Sequence, residues 1–126
     1  MTMTILTDHA RNLLARALAG RAPVLPAQVF AGLGTGGTAA QGLTGEPTAG
    51  GYARQRVTFT GTGAQSNAEA VRFVFSAAVG TLTHLGLFDA ASGGNPLAVV
   101  PLAQPAVMSG PGTVTIAPEA LTLSVG

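Results

Sequence analysis

The chain has no lysine, no cysteine and no tryptophan, and only 9% of its 126 residues are charged. Each shortage excludes something. Without cysteine there are no disulfides, no thiolate chemistry and no Cys-type zinc site, so stability must come from packing and from subunit contacts. The net charge is +1, and the six positive charges (Arg11, Arg16, Arg21, Arg54, Arg56 and Arg72) never form a basic tract. There is therefore no electrostatic footprint for nucleic acid. No run approaches the roughly 18 apolar residues that a membrane span needs, so no membrane partner is expected. Met1 to Leu6 lack the basic start and apolar run of a signal peptide, and synthesis in the cytoplasm without export by the general secretion route is expected. Soluble domains carry about 25% charged residues. A lone monomer of this composition would have Thr, Ser, Gln, Asn and backbone to cover its surface. Such a surface suits a protein that lives against copies of itself or against a larger assembly, and favours a structural subunit over a free enzyme.

What is present is 47% hydrophobic residues with 18 Gly and 8 Pro, a composition of many short strands joined by turns. At this length a single domain over residues 1–126 is expected, burying roughly two-thirds of the surface of the unfolded chain. Leu6, Ala10, Leu13, Leu14, Ala17 and Leu18 recur at three- and four-residue steps, which predicts a helix over residues 4–19. Thr7 or Asp8 can cap its start, Arg16 suits its last turn, and Gly20 can end it in the left-handed conformation.

After Pro23 and Pro26 the pattern changes to strands. Leu25 to Leu33 is a short apolar run that opens into a Gly-rich stretch, and residues 34–51 read as a long loop, a type that is usually functional or mobile. Tyr52 to Thr60 alternates, with Tyr52, Arg54, Arg56, Thr58 and Thr60 on one face. Val71 to Phe75 follows as a strand, expected antiparallel to its predecessor. In Thr81 to Phe88, Leu85 and Leu87 point one way and Leu82, His84 and Phe88 the other, which suggests a central strand covered on both faces. Pro101 places Leu97 to Leu102 at an edge or strand end. Val114 and Ile116 share one parity and Leu121, Leu123 and Val125 the other, so a bulge or turn lies at 117–120. The expected fold is mainly β: an antiparallel β-sandwich, jelly-roll-like, over residues 25–126, with one N-terminal α-helix.

Few residues could carry chemistry. His84 could act as a base oriented by Asp89, but five residues of unbroken strand place the two on opposite faces, and a buried or interface histidine is the plainer reading. His9, His84 and five isolated acids show no metal-ligand spacing. Gly32 to Gly37 looks like a phosphate-cradling loop, yet no helical pattern and no lysine follow it. No catalytic residue, metal or cofactor is assigned. Arg54 and Arg56 are either a solvated sheet face or form interchain pairs with Glu46, Glu69 or Glu119. The helix stripe either covers its own sheet or docks on a neighbour. Candidate interface residues are therefore Leu13, Leu14, Leu18, Tyr52, Arg54, Arg56 and His84.

The order of features resembles a family of small bacteriophage virion proteins commonly labelled putative tail fibre proteins. The resemblance is carried by Leu13-Leu14, by Gly51-Tyr52-Ala53-Arg54, by Asn67 to Phe75, and by Thr83-His84-Leu85-Gly86-Leu87-Phe88-Asp89-Ala90. Val79 stands where similar sequences commonly have Trp. The resemblance implies a non-enzymatic virion structural protein made in the host cytoplasm and assembling as a homo-oligomer. A fibre shaft is long and repetitive, and this chain has no repeats. A capsid decoration or minor capsid subunit, trimeric and bound to the major capsid protein or other virion proteins, is therefore expected first. A tail fibre, spike or baseplate component is expected second, and a glycan-binding module using loop 34–51 third.

Overall fold

Thr7 decides where the helix begins. In the computed structural model, which describes residues 2–3 and 5–124, the Thr7 Oγ1 accepts a hydrogen bond from the Ala10 N–H at 3.2 Å and donates one to the Pro96 carbonyl at 2.6 Å. That cap starts helix α1 at Asp8–Leu18. Gly20 then turns left-handed at φ 76°, and the Arg21 N–H bonds back to the Arg16 carbonyl at 2.9 Å, closing the helix end. The expected start near residue 4 is corrected, and Thr4 itself lies outside the described residues. Ile5–Leu6 is a strand, because its backbone pairs with an open sheet edge (Ala98 with Leu6, Val99 with Ile5) before the cap is reached.

The strands are β1 (Thr2–Met3), β2 (Ile5–Leu6), β3 (Val29–Gly34), β4 (Gly36–Thr38), β5 (Gly42–Thr44), β6 (Gln55–Val57) and β7 (Phe59–Thr60). After them come β8 (Gln65–Asn67), β9 (Val71–Phe75), β10 (Gly80–Phe88), β11 (Pro96–Met108), β12 (Gly112–Ile116) and β13 (Thr122–Leu123). The largest sheet is antiparallel throughout, in the order β2-β11-β10-β3-β6. A second sheet runs β1-β13-β8-β7, with β1 parallel to β13. Two further pairs, β12 with β9 and β4 with β5, are antiparallel. Among the described residues the fold is thus mainly β with one N-terminal helix, and no sheet closes into a barrel, so the arrangement is one of several largely antiparallel sheets and does not establish the expected jelly-roll sandwich.

The main core gathers Leu33, Leu82, Leu85 and Leu87 from the five-stranded sheet with Val71, Phe73 and Phe75 of β9, Ile116 of β12, Met3 and Leu121. Alternation along β9 is regular: Val71, Phe73 and Phe75 are buried, Arg72 and Val74 exposed. Its partner is β12, not the preceding strands as expected, since a long-range pairing leaves no local trace. In β10 a register shift between Leu82 and His84 corrects the expected faces. Residue 82 pairs with Ala106 and residue 84 with Pro101, so the parity flips and Leu82 joins Leu85 and Leu87 in the core. The strand is central and covered on both sides, as its pattern implied. Residues 117–120 form a turn, closed by the Ala120 N–H on the Ala117 carbonyl, with Glu119 at φ 63°. Val125 lies outside the described residues.

The expected loop 34–51 is the largest correction. It contains the β4–β5 hairpin, folded onto the outer face of the five-stranded sheet with Leu43 buried against Phe88 and Val99. Glycine makes this possible, since a Cβ at Gly86 would stand 2.5 Å from the Leu43 Cβ and one at Gly37 2.3 Å from the Val99 Cγ2. Gly37, expected within a long loop, is thus a contact point.

Asn67, fully buried, ties the C-terminal segment down. Its Nδ2 donates to the Glu69 and Ala117 carbonyls at 2.8 and 2.9 Å, and its Oδ1 accepts from the Leu121 N–H at 2.9 Å. Asn67→Ala would strand these groups, and a loss of about 3 kcal/mol is expected. Urea denaturation checks this, and a change below about 1 kcal/mol would mean that water or neighbours replace the amide.

Candidate functional site

The sequence candidates fall into three places. On α1, Leu13 is buried against its own sheets, Leu14 is half-buried and Leu18 is 90% exposed. The first half of the stripe therefore covers the chain's own strands, while its end faces outward. Val24 and Leu25 continue the exposed apolar surface past the helix. Behind them a groove of about 300 Å³ is lined by Leu13, Leu14, Leu25, Phe59, Leu97 and Leu123.

Tyr52 and Arg54 lie in a cluster within the chain. Tyr52 stacks on Phe73 and Phe75 with ring centroids 6.4 and 6.1 Å apart. Its hydroxyl donates to Glu46 Oε2 at 2.5 Å and accepts from the Leu33 N–H at 3.0 Å. Arg54 forks onto the same carboxylate, Nε to Oε2 at 3.0 Å and the terminal nitrogen to Oε1 at 2.7 Å. Its remaining nitrogen donates to the carbonyls of Ala90 and Gly93 at 3.0 and 2.8 Å. The guanidinium lies over the Phe88 ring, 3.5 Å from its centroid. Gly32 gives this cluster its room, because a Cβ there would stand 2.7 Å from the Tyr52 hydroxyl.

Arg54 precedes the strand and turns inward, while Arg56 on β6 is exposed, so the shared face expected for the two is corrected. Glu46, weighed as an interchain partner, is bound by Arg54 of the same chain. The cluster borders an open cleft of about 410 Å³ lined by Thr48, Ala53, Ser92 and Gly93. Every polar atom of Arg54 and Glu46 that makes the cluster is already committed, which describes a clamp holding residues 46–54 to the sheet rather than a reactive site.

His84 is half-buried on β10. The Thr83 hydroxyl donates to the Thr35 carbonyl at 2.9 Å, and the His84 Nδ1 lies 2.8 Å from that hydroxyl oxygen. With the hydroxyl proton committed, the Nδ1–H donates to it. Asp89 is held elsewhere, accepting from the Asn95 backbone N–H at 2.7 Å and side chain at 3.1 Å. The two do not form an acid–base pair. Among the described residues, no three of His, Cys, Asp and Glu gather into a group able to hold a metal ion.

Sequence reasoning missed Asn67 and the inward turn of Arg54. A lone Asn ahead of an apolar strand gives no sign of burial in the sequence, and the fork to Glu46 depends on how residues 34–51 fold.

Burial pushes the Glu46 pKa up, but the hydrogen bonds from Arg54 and Tyr52 and the Arg54 charge outweigh it, so the net shift is downward. Burial and the Glu46 bond push the Tyr52 hydroxyl up, keeping it protonated as a donor. A lowered carboxylate contributes stability that is complete above its ordinary value of 4.5 and is lost as pH falls through the folded value. Asp89, also lowered against the burial that raises it by its Asn95 bonds, acts with the same sign. Glu46→Gln should therefore lower stability at neutral pH by about 2 kcal/mol and flatten, without abolishing, the fall in acid. Urea midpoints across pH check both, and an unchanged acid slope would remove Glu46 from the account.

The chain matches the family Gp80, described as podophage GP4 fiber I protein gp80, over residues 5–124. A comparison with curated proteins gives no match. The matched span takes in α1 and every strand from β2 to β13, so the match covers the whole arrangement and does not single out the Gly-Tyr-Ala-Arg or Thr-His segments. The chain belongs to this phage fibre family.

Proposed function

We propose that the chain is a non-enzymatic subunit of a phage tail fibre or of its base, connector or tip, built into the virion by contacts with copies of itself and with neighbouring virion proteins. The observation that carries this reading is the fibre-family match over residues 5–124. It favours the tail over the head accessory role that composition and size put first. Absence of repeats favours a base, connector or tip over a shaft.

The chemistry of the fold supports a structural role. No buried side-chain nitrogen or oxygen among the described residues lacks a hydrogen-bond partner, so no polar group of the interior is held in reserve for a substrate. The surface supports assembly. Leu18, Val24 and Leu25 are 90%, 93% and 56% exposed, and Leu25 lines the apolar groove beneath α1. A virion neighbour seated there would cover them. Glycan contact through residues 34–51 has less support, because the hairpin spends Leu43 on its own sheet and its tip is tied down by the Asp8 N–H on the Ala39 carbonyl at 2.8 Å.

Difference imaging of purified particles with and without this protein tests the reading, with density expected at the tail. Regular density over the head would overturn it. In the same particles Leu18→Asp should abolish incorporation while leaving the melting temperature of the purified chain unchanged. Normal incorporation would remove the helix end from the contact surface.

A further inference from the structure

Several strand edges have no strand partner among the described residues, and two of them, the outer edge of β11 past its pairing with β2 and the outer edge of β12, are built differently. The outer edge of β11 is paired to β2 only at Ala98 and Val99. Beyond that point it carries Pro101 and Pro105, and the register shift leaves the residues between Pro101 and Ala106 opposite Thr83 alone. Prolines and bulges are the devices that stop another strand from adding.

The outer edge of β12 has neither. Gly112–Ile116 pairs with β9 through five consecutive partners without a shift, and it contains no proline and no charge. Outside that ladder, no backbone hydrogen bond among the described residues joins it to another segment. Thr113 and Thr115 are exposed.

We propose that β12 pairs with β12 of a second copy of this chain, antiparallel about a two-fold axis at Val114, joining two β9–β12 pairs into one continuous four-stranded sheet. The sequence of the strand is suited to itself. Thr113-Val114-Thr115 reads the same in both directions, so Val114 faces the partner's Val114 and Thr113 faces the partner's Thr115. These are β-branched cross-strand pairs, which stabilise antiparallel sheets. Val114 is half-buried and packs against the main core, so the pairing extends that core across the axis. The nearest charge on the outer face is Arg72, opposite Thr115 on β9. Three strand spacings and two residues along the strand separate it from the partner's Arg72, roughly 16 Å and beyond the Debye length at physiological salt. The β12 edge is thus open and free of like-charge repulsion, where the outer edge of β11 is blocked.

Five paired residues bury less than the roughly 1,200 Å² of a standard stable interface. The free protein should therefore dimerise weakly and reversibly, and the pairing becomes effective where neighbouring virion contacts hold copies close together. This inference rests on the self-association in the proposed function but not on the tail location, so the two fail separately.

Sedimentation equilibrium of the purified full chain tests it. The wild type should show a monomer–dimer equilibrium. Thr113→Lys with Thr115→Lys places like charges opposite each other across the axis, as does Thr113→Glu with Thr115→Glu. Each double variant should fold normally and dimerise about tenfold more weakly. An equimolar mixture of the two should regain association, because Lys then faces Glu. Leu18→Asp, on a different surface, should dimerise as the wild type does. A wild type that stays monomeric or forms a trimer overturns the proposal. So does a Lys or Glu variant that associates unchanged, or a mixture that gains nothing.

Discussion

Leu43 rests on a surface made of backbone, and the outer half of the fold depends on that contact. Gly32 and Gly34 on β3 and Gly86 on β10 lie beneath it, and a Cβ at any of the three would come within 3.3 Å of its side chain. Because the sheet is smooth there, the β4–β5 hairpin can lie flat and bury Leu43 with Phe88 and Val99. β10 is then covered on both faces, which is why its residues are apolar on both. The hairpin tip in turn reaches the start of α1, where the Asp8 N–H finds the Ala39 carbonyl. Helix, hairpin and sheet are thus fixed against one another by a single layer of missing side chains.

The segment that leads away from the hairpin is held by different chemistry. Glu46 receives both Tyr52 and Arg54, and Arg54 lies over Phe88, the same ring that Leu43 packs against. An apolar contact and a charged clamp therefore converge on Phe88 from two sides. The clamp spends two of the chain's eleven charged residues on its interior, leaving still fewer for the surface. That economy of charge fits the proposed assembly role, in which other virion proteins would cover part of the surface.

Edge treatment follows the same logic. Prolines and a bulge close β11 where nothing should add, and β12 is left straight, uncharged and open. In the proposed self-pairing, backbone geometry at the strand edges would control association where few charges keep copies apart.

The sequence by itself determined the helix and its Gly20 end, with Thr7 or Asp8 as its cap, the β character of the rest, the central place of β10 and the absence of a thiol or lysine chemistry. These follow from composition and short-range periodicity, which depend on neighbours along the chain. The tertiary structure decided what periodicity does not carry: that β9 pairs with β12, that Leu82 crosses to the core side through a bulge, that Arg54 turns in to Glu46, and that residues 34–51 are a docked hairpin. Each of these is a contact between segments distant in sequence, and glycine, which looks the same in a free loop and beneath a packed leucine, leaves the two indistinguishable until the sheet is in place.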